Sequence, residues 1–173
     1  MKKFLLLAMV MVLGLVLVNL FGQTPAYVGA AKCKICHQTE KQGQQYPIWE
    51  KSNHSQSAAV LSTNKATPIA QPLGVQKPAE DAKCLTCHSP LFEKSPELKA
   101  DGISCEVCHG PGSEYKKLSV MKNKEEAVKA GLVLYANPDA IKAKCLTCHE
   151  KDHGKTFDFA AAWEKIKHAI PAK

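Results

Sequence analysis

The chain has 173 residues, with eight Cys, 23 Lys, no Arg and 16 acidic residues, for a formal charge of +7. Aromatic residues make up 6%, which is poor for a domain that must fold on its own apolar core, and the recurring cysteine spacing argues against disorder. Charge alone does not exclude a nucleic-acid partner, but the Lys are scattered rather than clustered, and none is expected.

In chain order, Lys2 and Lys3 precede an unbroken apolar run over 4–18, which is the charged and apolar pattern of a secretory signal. Thr24 and Ala26 put small residues at −3 and −1 for cleavage after Ala26. The alternative is an uncleaved anchor, because 4–21 is near the lower limit for spanning a bilayer. The expected division is therefore a leader or membrane anchor over 1–26 and one domain over 27–173. The domain faces the periplasm or the outer side of the membrane, and touches the membrane only through 1–21 if the leader stays. Without 1–26, which hold two Lys and no acid, the balance is +5.

The domain opens on Cys33-Lys34-Ile35-Cys36-His37. Residues 46–61 read as a helix carrying Trp49-Glu50-Lys51-Ser52-Asn53-His54, with Pro47 in the first turn. Residues 62–80 hold three Pro and a Gly and read as a loop. Cys84-Leu85-Thr86-Cys87-His88 and Cys105-Glu106-Val107-Cys108-His109 follow, the latter running into a turn at Gly110-Pro111-Gly112. A helix is expected over 113–131, with Gly131 as its C-cap. Asn137-Pro138-Asp139 opens another, which leads into Cys145-Leu146-Thr147-Cys148-His149. A last helix over 157–170 carries Trp163-Glu164-Lys165-Ile166-Lys167-His168 and stops at Pro171. Strand patterns are scarce. The expected class is mainly α, with short helices and loops.

All eight cysteines thus fall in four C-x-x-C-H units, the attachment pattern of c-type haem. The two thiols of a unit add across the two vinyl groups of one haem, and the His that follows is held under the iron as its proximal ligand. Disulfides or zinc sites would also use paired cysteines, but neither needs a His after every second Cys. Four such placements by chance have a probability of about one in several hundred thousand. The reading is four haem c groups, held covalently by Cys33, Cys36, Cys84, Cys87, Cys105, Cys108, Cys145 and Cys148, with His37, His88, His109 and His149 on the irons. At roughly 37 residues per haem the prosthetic groups must supply most of the core. Their propionates would bring the charge to about +1 oxidised and about −3 reduced.

Three His remain for the distal side of the irons: His54, His153 and His168. His54 follows His37 by 17 residues and His168 follows His149 by 19, each at the end of a Trp-Glu-Lys-x-x-His stretch. The first and last quarters therefore read as versions of one unit. His153 lies four residues past His149 and would share its face if the helix continued. Four irons and three spare His leave one haem without a His-His pair. Met121 is a candidate for that place, although an apolar helix residue is its plainer reading. An open iron, water, Tyr, Lys or a terminal amine are the others.

The chain resembles the tetrahaem cytochrome c family typified by cytochrome c-554 of ammonia-oxidising bacteria. The resemblance rests on Tyr27-Val28-Gly29 before the first site, on Trp49 through His54, on Gly102-Ile103-Ser104-Cys105 through Gly112, and on Phe157-Asp158-Phe159 with Trp163 through His168. It implies periplasmic electron transfer through haems in stacked and angled pairs, and distal roles for His54 and His168. It is also compatible with one open, high-spin haem. Many members carry an iron-ligating His after the Gly-Pro-Gly turn. Here Tyr115 stands at that place, which makes it a further candidate for the missing ligand.

The leading expectation is an electron carrier without enzymatic activity. Its redox partners would be another periplasmic haem protein or a membrane quinol-oxidising complex. Two alternatives stand beside it. One is a haem enzyme acting on a small nitrogen compound (nitric oxide, hydroxylamine or nitrite) at an open iron. The other is a subunit of an extracellular haem filament.

Overall fold

The computed structural model describes residues 24–150 and 156–168. The apolar run of the leader, His153 and Pro171 lie outside the described residues. Among the described residues there is no strand, and nine α-helices are short: α1 (Ala30–His37), α2 (Gln45–Glu50), α3 (Thr67–Ala70), α4 (Ala82–His88), α5 (Cys105–His109), α6 (Leu118–Met121), α7 (Lys124–Lys129), α8 (Pro138–His149) and α9 (Phe159–Ile166). Short 3-10 segments at Glu40–Gln42, Ala59–Ser62, Gln71–Leu73 and Pro96–Asp101 join them. None of the described helices is long and apolar enough to cross a membrane.

The expected helix over 46–61 is broken. α2 ends at Glu50, and the chain runs in turns to the 3-10 segment at Ala59. The serines explain this, because their hydroxyls compete for backbone carbonyls. Ser52 donates to Trp49 O at 2.7 Å, Ser55 to Glu50 O at 2.9 Å, and Ser57 to His54 O at 2.7 Å. The expected loop over 62–80 instead holds α3 and a 3-10 turn, with Pro68 and Pro72 in first-turn positions that need no N–H. The single helix expected over 113–131 is two. Asn123 starts α7 afresh by accepting from the N–H groups of Glu125 and Glu126 at 3.0 and 3.2 Å. Gly131, at φ 103, closes α7 as expected, with Gly131 N donating to Val128 O and Leu132 N to Ala127 O.

α8 begins where the sequence indicates, with Asn137 Oδ1 accepting from Ala140 N at 2.9 Å. The last helix is shorter than expected. Asp158 caps it by accepting from Ala161 N at 3.1 Å, and Lys167 leaves the helix in an extended conformation. Both Trp-Glu-Lys-x-x-His stretches therefore hold Trp inside a helix and His beyond its end.

Among the described residues the buried apolar side chains are few, and three of them are alanines: Ala30, Leu61, Ala70, Val75, Leu85, Leu91, Tyr115 and Ala127. Ile35, in the first C-x-x-C-H unit, is 71% exposed, and Leu118 is 63% exposed. A polypeptide core this thin among the described residues is consistent with bound prosthetic groups supplying part of the buried apolar surface.

One buried carboxylate organises the backbone around the third unit. Glu106 is 2% exposed. Its oxygens accept from Val28 N at 3.0 Å, Gly29 N at 2.8 Å and Gly112 N at 2.7 Å. Asp101 Oδ2 accepts from Ala30 N at 2.8 Å. Ala26 and Ser113 exchange two bonds, Ala26 N to Ser113 Oγ at 2.9 Å and Ser113 N to Ala26 O at 3.0 Å. The segment leading into α1 is thereby fastened to both sides of α5.

Candidate haem sites

Each C-x-x-C-H unit forms the end of a helix whose last residue is the His: α1 at His37, α4 at His88, α5 at His109 and α8 at His149. Helical spacing i, i+3, i+4 puts both thiols and the imidazole of a unit on one face. No disulfide joins the eight cysteines.

The imidazoles are oriented through Nδ1. His88 Nδ1 lies 2.8 Å from Ser57 O, His109 Nδ1 lies 3.3 Å from Val133 O, and His37 Nδ1 lies 3.3 Å from Gln45 Oε1. An acceptor at Nδ1 holds the proton there and leaves the Nε2 lone pair for a metal. His168 Nδ1 is likewise 3.2 Å from Ile166 O. Burial holds His54 and His109 below the ordinary imidazole range. His149 adds to the effect at His54; at His109 the Val133 carbonyl opposes it, and His168 and His37 add to it. Neutral imidazole is the form that binds a metal.

Two pairs of imidazoles meet across the fold. The ring centroids of His54 and His149 are 6.2 Å apart with planes at 41°, and those of His109 and His168 are 6.0 Å apart with planes at 58°. Two imidazoles on opposite sides of one iron, each with a metal–nitrogen bond of about 2 Å, have centroids about 6.4 Å apart. Each ring can turn about its own metal bond, so either interplanar angle is acceptable. The residues present therefore fit a haem iron at both places. Among the described residues no imidazole is paired in this way with His37 or His88.

The units are close neighbours. Cys33 and Cys105 lie close enough to influence each other's thiol, with the pKa of Cys33 lowered and that of Cys105 raised. α1 packs on both α5 and α2. Around the Cys108 thiol, whose pKa burial raises, stand Lys144, Cys145 and Cys148. The Tyr135 hydroxyl donates to Cys108 O at 2.9 Å. The third unit thus sits between the first and the fourth.

Tyr115 is 5% exposed, and its hydroxyl donates to Gly110 O at 2.8 Å. Burial raises its pKa, so it is held as a neutral phenol. Met121 is the half-buried last residue of α6. Sequence reasoning passed over Glu106 and Ser57. A Glu between two cysteines reads as a solvated helix charge, and nothing local marks it as buried. Ser57 carries a visible signal in its place three residues after His54, but its contact with His88 is purely tertiary.

Four helix-borne C-x-x-C-H units with cross-chain imidazole pairs define a multihaem c-type cytochrome, an electron-transfer protein with covalently bound haem c. The family described as "Cytochrome c554 and c-prime" matches residues 32–110. The chain is 25% identical to Cytochrome c-554 of Nitrosomonas europaea over 174 residues, which cover 86% of this chain and 72% of that protein. It is 24% identical over 121 residues to the C-type polyheme cytochrome OmcB of Geobacter sulfurreducens, covering 63% of this chain but 14% of OmcB. No solved structure matches the chain significantly. These matches support a c-type cytochrome similar to cytochrome c-554.

Proposed function

We propose that the chain is a periplasmic electron carrier with four haems, passing electrons between protein redox partners. The observation that carries this reading is the meeting of His54 with His149 and of His109 with His168 at 6.2 and 6.0 Å. Haem iron supplies reversible one-electron chemistry when bound. The protein residues hold the units in contact, and His54 with His149 and His109 with His168 would hold two irons, so that neither would need to exchange a ligand. The neighbouring first and third units, and third and fourth units, give a path of short steps. The second unit joins the fourth through the segment from His54 to Ser57. Tyr115, whose hydroxyl is committed to Gly110, serves packing in this reading. A single mature domain over 27–173, outside the cytoplasm, is part of the proposal, and the leader pattern of 1–26 supports it. The partners are other redox proteins, either a periplasmic haem protein or a membrane quinol-oxidising complex.

A second reading draws on the first and second units. His153 can complete at most one of the irons on His37 and His88, and an iron left open would bind a small nitrogen compound. EPR of the oxidised holoprotein, with iron measured against protein, tests both readings. Four irons per chain with no response to nitric oxide supports the pure carrier. A high-spin signal altered by nitric oxide, together with steady turnover, supports the enzyme. Fewer than four irons per chain contradicts the four-haem reading.

A further inference from the structure

We propose that Ser57 is a positioning residue shared by two haem sites, and that it couples the proximal ligand of the second unit to the distal ligand of the fourth. The inference rests on the ligand assignment above, with His88 on one iron and His54 opposite His149 on another.

Ser57 stands at a crossing of four residues. Its backbone carbonyl lies 2.8 Å from His88 Nδ1 and sets the orientation of that ring. Its hydroxyl lies 2.7 Å from His54 O and 2.8 Å from His88 O, so one proton is shared between the two carbonyls. The same oxygen accepts from Ile103 N at 3.0 Å, and Ile103 N also reaches His54 O at 3.1 Å. The arrangement has little slack. A Cβ placed on Gly102 would stand 2.4 Å from Ser57 Oγ and 2.8 Å from His54 O.

The consequence follows from how a ligated imidazole is tuned. The acceptor at Nδ1 governs the basicity and orientation of the ring, and through them the iron. For His88 that acceptor is the carbonyl of Ser57. For His54 the position of the backbone, and so the reach of the ring toward His149, is fixed by the hydroxyl of Ser57. A displacement at either imidazole is therefore passed to the other through one residue. Among the described residues no other side chain bonds the backbone of two of these ligand histidines.

The test compares Ser57→Ala with the parent holoprotein by redox titration of each haem and by low-temperature EPR. We expect two of the four potentials to move. We also expect changed g-values in the low-spin signal that His54→Ala abolishes, with the other signals staying in place. Ser57→Thr, which keeps the hydroxyl, should return both toward the parent. A general loosening would instead move all four potentials. Unchanged potentials and g-values in Ser57→Ala, alongside a His54→Ala that removes a low-spin signal, would overturn the coupling and leave the ligand assignment standing. A His54→Ala that removes no low-spin signal would sink the assignment itself. Should Ser57→Ala fail to load haem, Ser57→Cys, close in size and a weaker donor, is read by the same criteria.

Discussion

His109 and His168 face each other with ring centroids 6.0 Å apart, although one closes the third attachment unit and the other follows the last helix. No local motif brings them together. His168→Ala should leave the number of attached haems unchanged and convert one low-spin iron to high spin. Intact mass and EPR check the two halves of this expectation. An unaltered spin state would dissolve the pair.

Removing the Glu106 carboxylate would strand the N–H groups of Val28, Gly29 and Gly112, which now share it. Glu106→Ala should destabilise the holoprotein by roughly 3–5 kcal/mol. Glu106→Gln, which keeps one acceptor oxygen, should cost about half as much. Guanidinium unfolding curves measure both, and a loss below about 1 kcal/mol for the alanine variant would show that the segment is held by other contacts.

Gly110 has φ 78, and a Cβ there would stand 2.6 Å from Gly131 O. That atom is backbone and cannot swing aside. His109 and Val133 exchange a bond on each side of this point, Val133 N to His109 O at 2.9 Å and His109 Nδ1 to Val133 O at 3.3 Å. Gly110→Ala should cost on the order of 1–3 kcal/mol from the backbone alone. It should also disturb the EPR signal that His168→Ala abolishes. A parent-like spectrum would mean that the turn relaxes without moving the ligand.

Folding raises the pKa of the Tyr135 phenol from 10.0 to about 12, chiefly by burial. The unfolded chain releases this proton near pH 10 and the folded chain does not. The contribution to stability is therefore complete below pH 10 and is lost as the pH climbs toward about 12. Tyr135→Phe should flatten that alkaline decline and, by losing the bond to Cys108 O, cost about 1 kcal/mol at neutral pH. Denaturation midpoints measured at pH 8 and pH 11 separate the two effects.

The cysteine units were legible because their chemistry fixes both spacing and residue type, and helix ends at Asn137 and Gly131 were legible because caps act locally. The breaks after Glu50 and at Asn123 were not. Ser52, Ser55 and Ser57 in a row, or one Asn amid Lys and Glu, are compatible with a continuous helix until their side chains take a backbone partner. The match of His54 to His149 was out of reach for a different reason. The repeat puts His54 and His168 in equivalent sequence contexts, but only tertiary packing decides which attachment unit each one meets.

The fastening of the N-terminal segment by Glu106 has a consequence in time. Synthesis proceeds from the N-terminus, and the carboxylate that Val28 needs lies 78 residues further on. Cys33, Cys36 and His37 are therefore complete, and without their dock, while the middle of the chain is still being made. During that interval the first unit lacks the contacts that hold it in the folded chain. Once Cys105 and Cys108 arrive, α1 can pack against α5. Residues 26–29 are thus held by partners that exist only once the chain has been extended as far as Ser113, so the first quarter of the fold is completed by its third.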